Sequence, residues 1–397
     1  MSIAIKVSAA LERSSWIRRM FEEGAELRNR FGAENVFDFT LGNPDMEPPE
    51  DLHKILLDLA SSPPPGMHRY MNNAGYDETR DAVAKRLSIG APHELSARHV
   101  IMTCGAGGAL NVVLKTILNP GEEVIILAPF FVEYKFYIDN HGGKPVEVWT
   151  RREDFQPDLD AIEDAITQQT RAIILNSPNN PTGVIYPEKM LAEIGELLDK
   201  KSREYGHIIY AISDEPYARI AFDATKVPNI FNSIRNSVVV TSHSKDLAIP
   251  GERIGFLAAN PDLEDVDRFM DGAVFCNRVL GFVNAPALAQ RLVAKLQETS
   301  VDVGMYQKKR DLLYNHLSSL GFRMVKPQGA FYLFPEAPGG DDITFAKKCQ
   351  KFNVLVVPGT GFGAPGYFRI AYCIDDAIIE RSLPAWEKLA IENGLKA

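Results

Sequence analysis

The lysine at position 245 stands where it could do covalent chemistry. It follows Val238–Thr241, a β-branched run typical of a buried strand. Partial loss of water disfavours the ammonium form of a lysine, so its amine becomes a nucleophile that can attack an aldehyde. Nearby, Ser242 and Arg253 offer a hydroxyl and a planar cation that suit a phosphate. An aldehyde and a phosphate in one ligand indicate pyridoxal phosphate (PLP), and the alternative is a solvated loop lysine.

Other side chains suit the ring of the same ligand. A carboxylate such as Asp214 can keep a pyridine nitrogen protonated, which makes the ring an electron sink. Tyr217 and Asn180 can donate hydrogen bonds to the ring's phenolate oxygen, and Phe131 can stack on its face. The alternatives are a helix cap or loop ion pair for Asp214, a plain β-turn around Asn180, and a core aromatic for Phe131.

Two further features suit anions. Gly105–Gly108 opens a predicted helix, so its backbone N–H groups could bind a phosphate, although close helix–strand packing also favours glycine. Arg369 stands among apolar residues, and a buried arginine needs a partner. A substrate carboxylate could supply that partner through two parallel hydrogen bonds, and a structural ion pair is the alternative.

The elements that must position these groups form an α/β pattern. Apolar strands alternate with predicted helices, which indicates a mainly parallel sheet with helices on both faces; the strands before the lysine are His99–Thr103, Glu123–Ala128, Arg171–Asn176 and Ile208–Ser213. The candidate groups follow the carboxyl ends of strands: the Gly-rich turn, Phe131, Asn180, Asp214 and Lys245. Ligands bind at that edge of open α/β sheets, so we expect one site there.

The domain organisation follows from a change of pattern along the chain. We predict a large PLP-binding domain over residues 46–285 and a smaller α+β domain over residues 286–397. Residues 1–45 would form an N-terminal arm and part of the small domain, because the strand-like Val36–Leu41 is expected to join it. The small domain would then use both chain ends.

Composition limits the classes of partner. The chain has 397 residues and a net charge of −9, which argues against nucleic-acid and anionic-membrane surfaces. No stretch approaches about 18 uninterrupted apolar residues, so we expect no membrane span. The four scattered cysteines lack metal-ligand spacing, which predicts no metal site and reduced thiols in the cytoplasm. The N-terminus also lacks the apolar run of a signal peptide.

The motifs, taken in order, resemble the aspartate aminotransferase family, the class I/II branch of the fold type I PLP enzymes. The resemblance extends from about Val36 to Asn393. The motifs that carry it are Gly42-Asn43-Pro44-Asp45, the Tyr70 loop, the Gly-rich turn, Asn180-Pro181-Thr182-Gly183, Asp214 with Tyr217, Ser242-His243-Ser244-Lys245, Arg253-Ile254-Gly255, Pro358-Gly359, Phe362-Gly363 and Arg369.

The resemblance implies a role for each candidate residue. Lys245 would hold PLP as an internal aldimine. The residues that would bind the cofactor phosphate are Ala106, Gly107, Ser242 and Arg253, and the α-carboxylate of the substrate would be held by Arg369, Asn180 and the Gly42 amide. Tyr70 would reach the phosphate in a neighbouring subunit, which implies a homodimer with shared active sites.

The implied function is amino-group transfer between an L-amino acid and a 2-oxo acid by a ping-pong mechanism, with the freed Lys245 amine as general base and acid. Two departures bear on it. Gly107 stands where some bacterial relatives carry a lysine linked to acidic substrates, and Tyr134 stands near a position where some have a histidine behind the ring aspartate. Arg278 is a candidate for a distal substrate carboxylate, with a solvated interface arginine as the alternative.

Two other functions remain open at the level of sequence. A PLP-dependent C–S β-lyase would share every cofactor contact. A non-catalytic PLP-binding regulator of this fold usually carries an added DNA-binding domain, for which 397 residues leave no room beside both predicted domains.

Overall fold

The computed structural model describes residues 2–8, 11, 24 and 26–395, so part of the predicted N-terminal arm lies outside the described residues. The chain divides into two compact units. The larger unit comprises Pro44–Met305 and Pro327–Ala330. The smaller unit comprises the described part of Met1–Asn43, together with Tyr306–Lys326 and Phe331–Ala397, so both chain ends contribute to it.

The described strands are short and come mostly from the larger unit. In chain order they are β1 (Phe37–Asp38), β2 (Val100–Thr103), β3 (Glu123–Ala128), β4 (Lys144–Trp149), β5 (Thr170–Asn176), β6 (Tyr210–Asp214), β7 (Ser237–Ser242), β8 (Gly255–Ala259), β9 (Tyr332–Leu333), β10 (Val354–Leu355), β11 (Val357–Pro358) and β12 (Phe368–Ala371).

The α-helices with assigned bounds separate these strands. In chain order they are α1 (Glu50–Ser61), α2 (Asp77–Leu87), α3 (Gly105–Ile117), α4 (Tyr134–Asn140), α5 (Leu159–Ala165), α6 (Glu188–Tyr205), α7 (Val266–Val279), α8 (Ala287–Ala294), α9 (Val303–Ser319), α10 (Asp342–Gln350) and α11 (Asp376–Glu392). Among the described residues, none of the helices has the length and apolar character needed to cross a membrane.

The larger unit is built on a seven-stranded sheet in the order β2-β8-β7-β6-β5-β3-β4. Only β8 runs antiparallel to its neighbours, so the predicted mainly parallel α/β sheet is confirmed. The register pairs Asn176 with Asp214, and Asp214 with Val240. The carboxyl ends of β5 and β6 therefore lie at one level, β7 continues two residues further to Ser242, and the loops that follow the three strands share one edge.

The core of this unit fixes that edge. The side chains of α3 pack against the sheet, where Val113 and Leu114 join Ile126, Ile174 and Val240 in one buried cluster. Truncating such a side chain to alanine typically costs about 2–5 kcal/mol of folding free energy. The rigid core therefore holds the loops after β5, β6 and β7 in fixed positions.

The smaller unit has the predicted α+β character. β12 pairs antiparallel with β11 and β9, while β1 pairs parallel with β10. The ring of Trp386 lies 5.9 Å from that of Phe322 and 6.0 Å from that of Phe39, measured between centroids. An aromatic cluster thus supports β12, the strand that carries Arg369.

Candidate active site

The Gly-rich turn after β2 lies against Arg253. α3 begins at Gly105, whose φ of +72° is in the left-handed region that favours glycine. A Cβ there would lie 2.9 Å from a terminal nitrogen of Arg253, so glycine leaves room for the guanidinium. Ala106 and Gly107 follow in the first turn of α3, where backbone N–H groups have no partner within the helix. These donors and the arginine together suit a phosphate.

Ser242 is brought to the same place by close backbone packing. It ends β7 and pairs with Gly255 at the start of β8. A Cβ at position 255 would lie 2.3 Å from the carbonyl oxygen of Thr241 and 2.9 Å from the backbone of Gly105. Only glycine permits this approach, which sets the end of β7 beside the Gly-rich turn.

Asp214 is a buried carboxylate of which one oxygen accepts a hydrogen bond and the other has no partner among the described residues. Tyr134 Oη donates a hydrogen bond to Asp214 Oδ2 at 2.5 Å, and Asn176 Nδ2 donates to the Asp214 carbonyl at 2.8 Å. Asp214 Oδ1 is buried and has no hydrogen-bond partner among the described residues. Burial raises the pKa of Asp214 to about 7, although the Tyr134 hydrogen bond lowers it. A cationic N–H donor beside Oδ1 would remove this burial cost.

Three other candidates lie at the edge where Asp214 ends its strand. Phe131 meets Tyr134 edge to face, with ring centroids 5.6 Å apart. The backbone N–H of Asn180 donates to Asn176 Oδ1 at 2.8 Å. Because Asn176 also donates to the Asp214 carbonyl, its side chain connects the loop after β5 to the end of β6. Tyr217 follows β6 and is buried.

Lys245 lies in the turn between β7 and β8 and is partly buried. Backbone hydrogen bonds fix the chain on both sides of it. The N–H of His243 donates to the carbonyl of Ile254 at 3.0 Å, and the N–H of Val301 donates to the carbonyl of Asp246 at 2.7 Å. A short, tethered turn holds the lysine at the carboxyl edge of the sheet.

In the smaller unit, Arg369 and Gly42 are brought together. One terminal nitrogen of Arg369 donates to the carbonyl of Thr40 at 2.7 Å. Its Cζ lies 4.6 Å from the ring centroid of Tyr332 and 4.8 Å from that of Phe362, so two aromatic rings confine the guanidinium. A Cβ at Gly42 would lie 2.0 Å from Tyr332 Oη, so glycine is needed there.

Tyr70 and Arg278 do not pack into the interior of their own chain. Tyr70 is 90% exposed. Arg278 is exposed near the end of α7, where its Cζ lies 5.5 Å from the ring centroid of Phe275, a side chain that is itself 54% exposed. The structure therefore does not join these two residues to the cluster around Asp214.

Sequence reasoning missed part of this arrangement. The sequence marks Tyr134 as a departure from a family pattern and as a ring that suits apolar substrate side chains, whereas in the structure it is the hydrogen-bond partner of Asp214. Tyr332 belongs to a short apolar segment in which an aromatic residue is typical of a core, so no sequence signal marked it. Glu215 was passed over as the residue after Asp214, although burial raises the pKa of its carboxyl to about 7.

The raised pKa values of Asp214 and Glu215 predict that the cofactor-free protein loses unfolding free energy as pH rises from about 4 to about 7. In that window the folded state keeps protons that the unfolded chain has released, so this contribution is complete below the unfolded pKa and declines above it. Urea denaturation near pH 5 and near pH 8 should show a weaker pH dependence for Asp214→Asn than for wild type. Equal pH dependence in both proteins would contradict the prediction.

Comparison with known proteins identifies the family. Residues 34–385 match the family described as aminotransferase class I and II, and the chain belongs to this family. It is a PLP-dependent aminotransferase of fold type I, which moves amino groups between amino acids and 2-oxo acids.

The similar proteins are named as aminotransferases, and the match to this chain covers most of their length. The chain is 32% identical over 354 residues to the probable aspartate/prephenate aminotransferase of Thermus aquaticus, covering 87% of this chain and 88% of that protein. It is 32% identical over 387 residues to aromatic-amino-acid aminotransferase 2 of Thermococcus litoralis, with coverage of 94% and 97%. The crystal structure of an amino transferase from Eubacterium rectale matches with a TM-score of 0.94 at 37% identity, over 99% of both chains. The lyase alternative has no better support.

The residues of the larger unit fit the cofactor of this family. Asp214 Oδ1 is a buried acceptor without a partner among the described residues, and a protonated ring nitrogen is the donor it lacks. The start of α3 and Arg253 offer donors and a positive charge for a phosphate. Both ends of PLP therefore find complementary groups at one edge of the sheet.

Proposed function

We propose that Lys245, Asp214 and Tyr217 are the catalytic residues of this aminotransferase. The observation that carries the proposal is the state of Asp214, which ends β6 buried, bonded to Tyr134 through one oxygen and unpartnered among the described residues at the other. Such a carboxylate is suited to stabilising a positive charge and to little else. Ping-pong kinetics follow, because the enzyme must hold the amino group between the two substrates.

The proposal gives the remaining candidates binding roles. Ala106, Gly107, Ser242 and Arg253 bind the phosphate, and Tyr70 reaches the phosphate bound by a second subunit. Phe131 stacks on the ring, while Asn180 and Tyr217 donate hydrogen bonds to its oxygen. The position of the Arg253 guanidinium, 2.9 Å from where a Cβ at Gly105 would lie, supports the first of these roles.

PLP, when bound, supplies an aldehyde carbon that takes up the amino group and a ring that accepts electrons. Lys245 would hold the cofactor through its amine. Once displaced by substrate, the same amine would take the α-proton of the substrate as a general base and donate it again as a general acid. Asp214 keeps the ring nitrogen protonated, and Tyr134 holds the Asp214 carboxylate in place through its hydrogen bond.

Arg369 is proposed to bind the α-carboxylate of the substrate, together with the Gly42 amide and Asn180. The guanidinium can offer two parallel N–H groups to a carboxylate. Tyr332 and Phe362 support this role, because rings on both sides of the guanidinium restrict its orientation before substrate binds.

The substrate side chain is proposed to be varied. The names of the relatives given above include aspartate, prephenate and aromatic amino acids as substrates. A distal substrate carboxylate needs a second cation, and Gly107 has no side chain to supply one. The space beside Gly107 is limited, because a Cβ at that position would lie 3.1 Å from Tyr137 Oη. We propose a broad enzyme that uses glutamate and 2-oxoglutarate as one pair and bulky or neutral amino acids as the other. Arg278 is the candidate cation for the distal carboxylate.

The substrate proposal is tested by kcat/KM for aspartate, phenylalanine and alanine in wild type and Arg278→Ala. A selective loss for aspartate of about tenfold or more would assign Arg278 to the distal carboxylate. Arg268→Ala is the matched control, because Arg268 is an exposed arginine on the same helix. A strong aspartate preference that survives Arg278→Ala would show that both the specificity and its residue are wrong.

We also propose a cytoplasmic homodimer with shared active sites. Tyr70 supports the sharing, because a tyrosine that is 90% exposed on its own chain is available to a second subunit. The cysteines are free thiols, which is the expected state in a reducing compartment.

Mixing inactive Tyr70→Ala and Lys245→Ala chains should therefore restore activity once subunits exchange. Each hybrid dimer would contain one site with both residues intact. Activity should rise toward about a quarter of wild type, since half the dimers are hybrids with one good site each. The controls are each variant mixed with itself. A monomer at assay concentration, or no recovery despite proven exchange, would contradict sharing.

A further inference from the structure

A second cavity lies beside the candidate active-site residues within the larger unit. Its volume is about 190 Å³, far above the roughly 10–15 Å³ that one water requires. Its wall includes Glu215, His243 and Asp246, each of which directly follows a candidate active-site residue in the sequence. The cavity opens beside Ile89, whose side chain is 68% exposed. We call it the rear cavity.

One part of the rear cavity is acidic. Ser213 Oγ donates to Glu215 Oε1 at 2.6 Å, and no cation among the described residues forms an ion pair with this carboxyl. Glu215 is partly buried and lines the cavity. Burial, with a smaller contribution from the neighbouring Asp214, raises its pKa to about 7, although the Ser213 hydrogen bond lowers it. Glu215 is therefore an acid that lacks a positively charged partner.

Another part of the same wall is basic. Arg219 makes one contact of 3.3 Å with Asp246 Oδ2, and Arg86 makes one contact of 3.4 Å with Glu298 Oε2. A guanidinium carries five N–H donors, so each arginine keeps donors that these ion pairs do not use. Both arginines line the cavity, and burial and the charge of Arg86 lower the pKa of Arg219. Two arginines in one wall suit a carboxylate.

His243 and Asp246 also belong to the wall of the rear cavity, and both side chains are more than nine-tenths buried. His243 Nδ1 lies 3.2 Å from Asp246 Oδ2, which also accepts a hydrogen bond from Arg219 at 3.3 Å. The remaining polar atoms, His243 Nε2 and Asp246 Oδ1, are enclosed by protein and have no hydrogen-bond partner among the described residues. The pair therefore holds Arg219 at the wall and does not itself contact a ligand in the cavity.

We propose that the rear cavity is a second small-molecule site whose ligand is an amino acid, with its ammonium group near Glu215 and its carboxylate at Arg86 and Arg219. In this arrangement the ligand's positive ammonium group faces the acidic Glu215, and its negative carboxylate faces the two arginines. Apolar wall residues, among them Leu87, Val239 and Phe256, suit an aliphatic or aromatic side chain. The site is separate from the role proposed for Arg369.

Occupancy of the rear cavity would reach the active site through Asp214. The charges of Glu215 and Asp214 repel each other, which is why Asp214 raises the pKa of its neighbour. An ammonium group beside Glu215 offsets that repulsion and so favours the ionised form of both carboxyls. Binding in the cavity and ionisation of Asp214 therefore support each other, as linkage requires.

The test is isothermal titration of holoenzyme reduced with borohydride, in which the cofactor is fixed and turnover is blocked. The probes are L-phenylalanine, L-alanine, butylamine and butyrate. We expect at least one amino acid to bind at millimolar concentration or below, and the amine and the carboxylate alone to bind at least about tenfold more weakly. No binding of any amino acid would overturn the proposal.

Variants distinguish the rear cavity from the catalytic site. Glu215→Gln and Arg86→Gln should each weaken amino-acid binding to the reduced enzyme about tenfold or more, whereas Arg369→Leu should leave it unchanged. Glu188→Gln, an exposed acid on α6, is the control. Arg86 is partly exposed at the cavity wall, so its variant tests the site even if Glu215→Gln fails to fold. Binding lost in Arg369→Leu but kept in both cavity variants would place the ligand at the catalytic site and overturn the proposal.

Discussion

Lys245→Ala is expected to lower kcat by about 10⁴-fold or more, equivalent to about 5 kcal/mol of activation free energy. The change removes both the amine that occupies the cofactor carbon and the base that takes the α-proton. Single-turnover absorbance and steady-state product formation with 2-oxoglutarate should both show the loss. The cofactor should still bind, because its phosphate and ring contacts come from other residues.

Two further variants separate the chemical role of the amine from its charge. Lys245→Arg keeps a positive charge but has no amine that can be deprotonated, so it should be as inactive as Lys245→Ala. Added methylamine should restore part of the activity of Lys245→Ala, because a small free amine can take up the proton. Lys189→Ala is the control, since that lysine is exposed on α6. Near wild-type transamination by Lys245→Ala would show that the central assignment is wrong.

The sequence predicted five strands of the seven-stranded sheet and missed two, β4 and β8. β3 has the predicted bounds, Glu123–Ala128, because its run of Val, Ile and Leu has few other interpretations. β4 is the last strand of the sheet, contains Pro145 and is partly exposed, so its residues resemble a loop. β8 is fully buried, but three of its five residues are Gly or Ala, which carry little β-propensity.

The sequence could predict where in the sheet the candidate site lies, but not which residues contact one another in it. The carboxyl ends of parallel strands meet at one edge, so the rule for ligand sites in open sheets predicted the surroundings of Asp214. The partner of Asp214 was not predictable, because Tyr134 is 80 residues away in the chain and begins the helix α4. The same holds for Arg369, whose carbonyl partner Thr40 is 329 residues distant in the chain.

The alternation of side chains along a strand also explains why the sequence did not predict the rear cavity. Successive residues of a strand point to opposite faces, so a catalytic residue is followed by one that faces elsewhere. The sequence marks Asp214 through the chemistry of a carboxylate at a strand end, whereas it gives Glu215 no role, because glutamate is usually solvated. Only the fold shows that this second carboxyl is buried at the wall of a cavity.

Asp214→Asn is expected to lower kcat by about 10²- to 10⁴-fold while leaving the fold intact. Asparagine has nearly the same shape and can still accept the hydrogen bond from Tyr134, so the change removes mainly the negative charge. The ring nitrogen would then lose its proton, and a neutral pyridine accepts electrons poorly. Asp160→Asn, which alters an exposed acid on α5, should have no such effect.

The decisive measurement for Asp214 uses a cofactor analogue whose ring nitrogen carries a methyl group and therefore a permanent positive charge. If Asp214 acts by keeping that nitrogen charged, the analogue should recover a substantial part of the kcat of Asp214→Ala, where the shortened side chain leaves room for the methyl group. In wild type the same analogue should give no gain, because PLP is already protonated there and Asp214 Oδ1 would meet a methyl group in place of a donor. Equal activity of Asp214→Ala with PLP and with the analogue would remove Asp214 from this role and leave it as a buried structural acid.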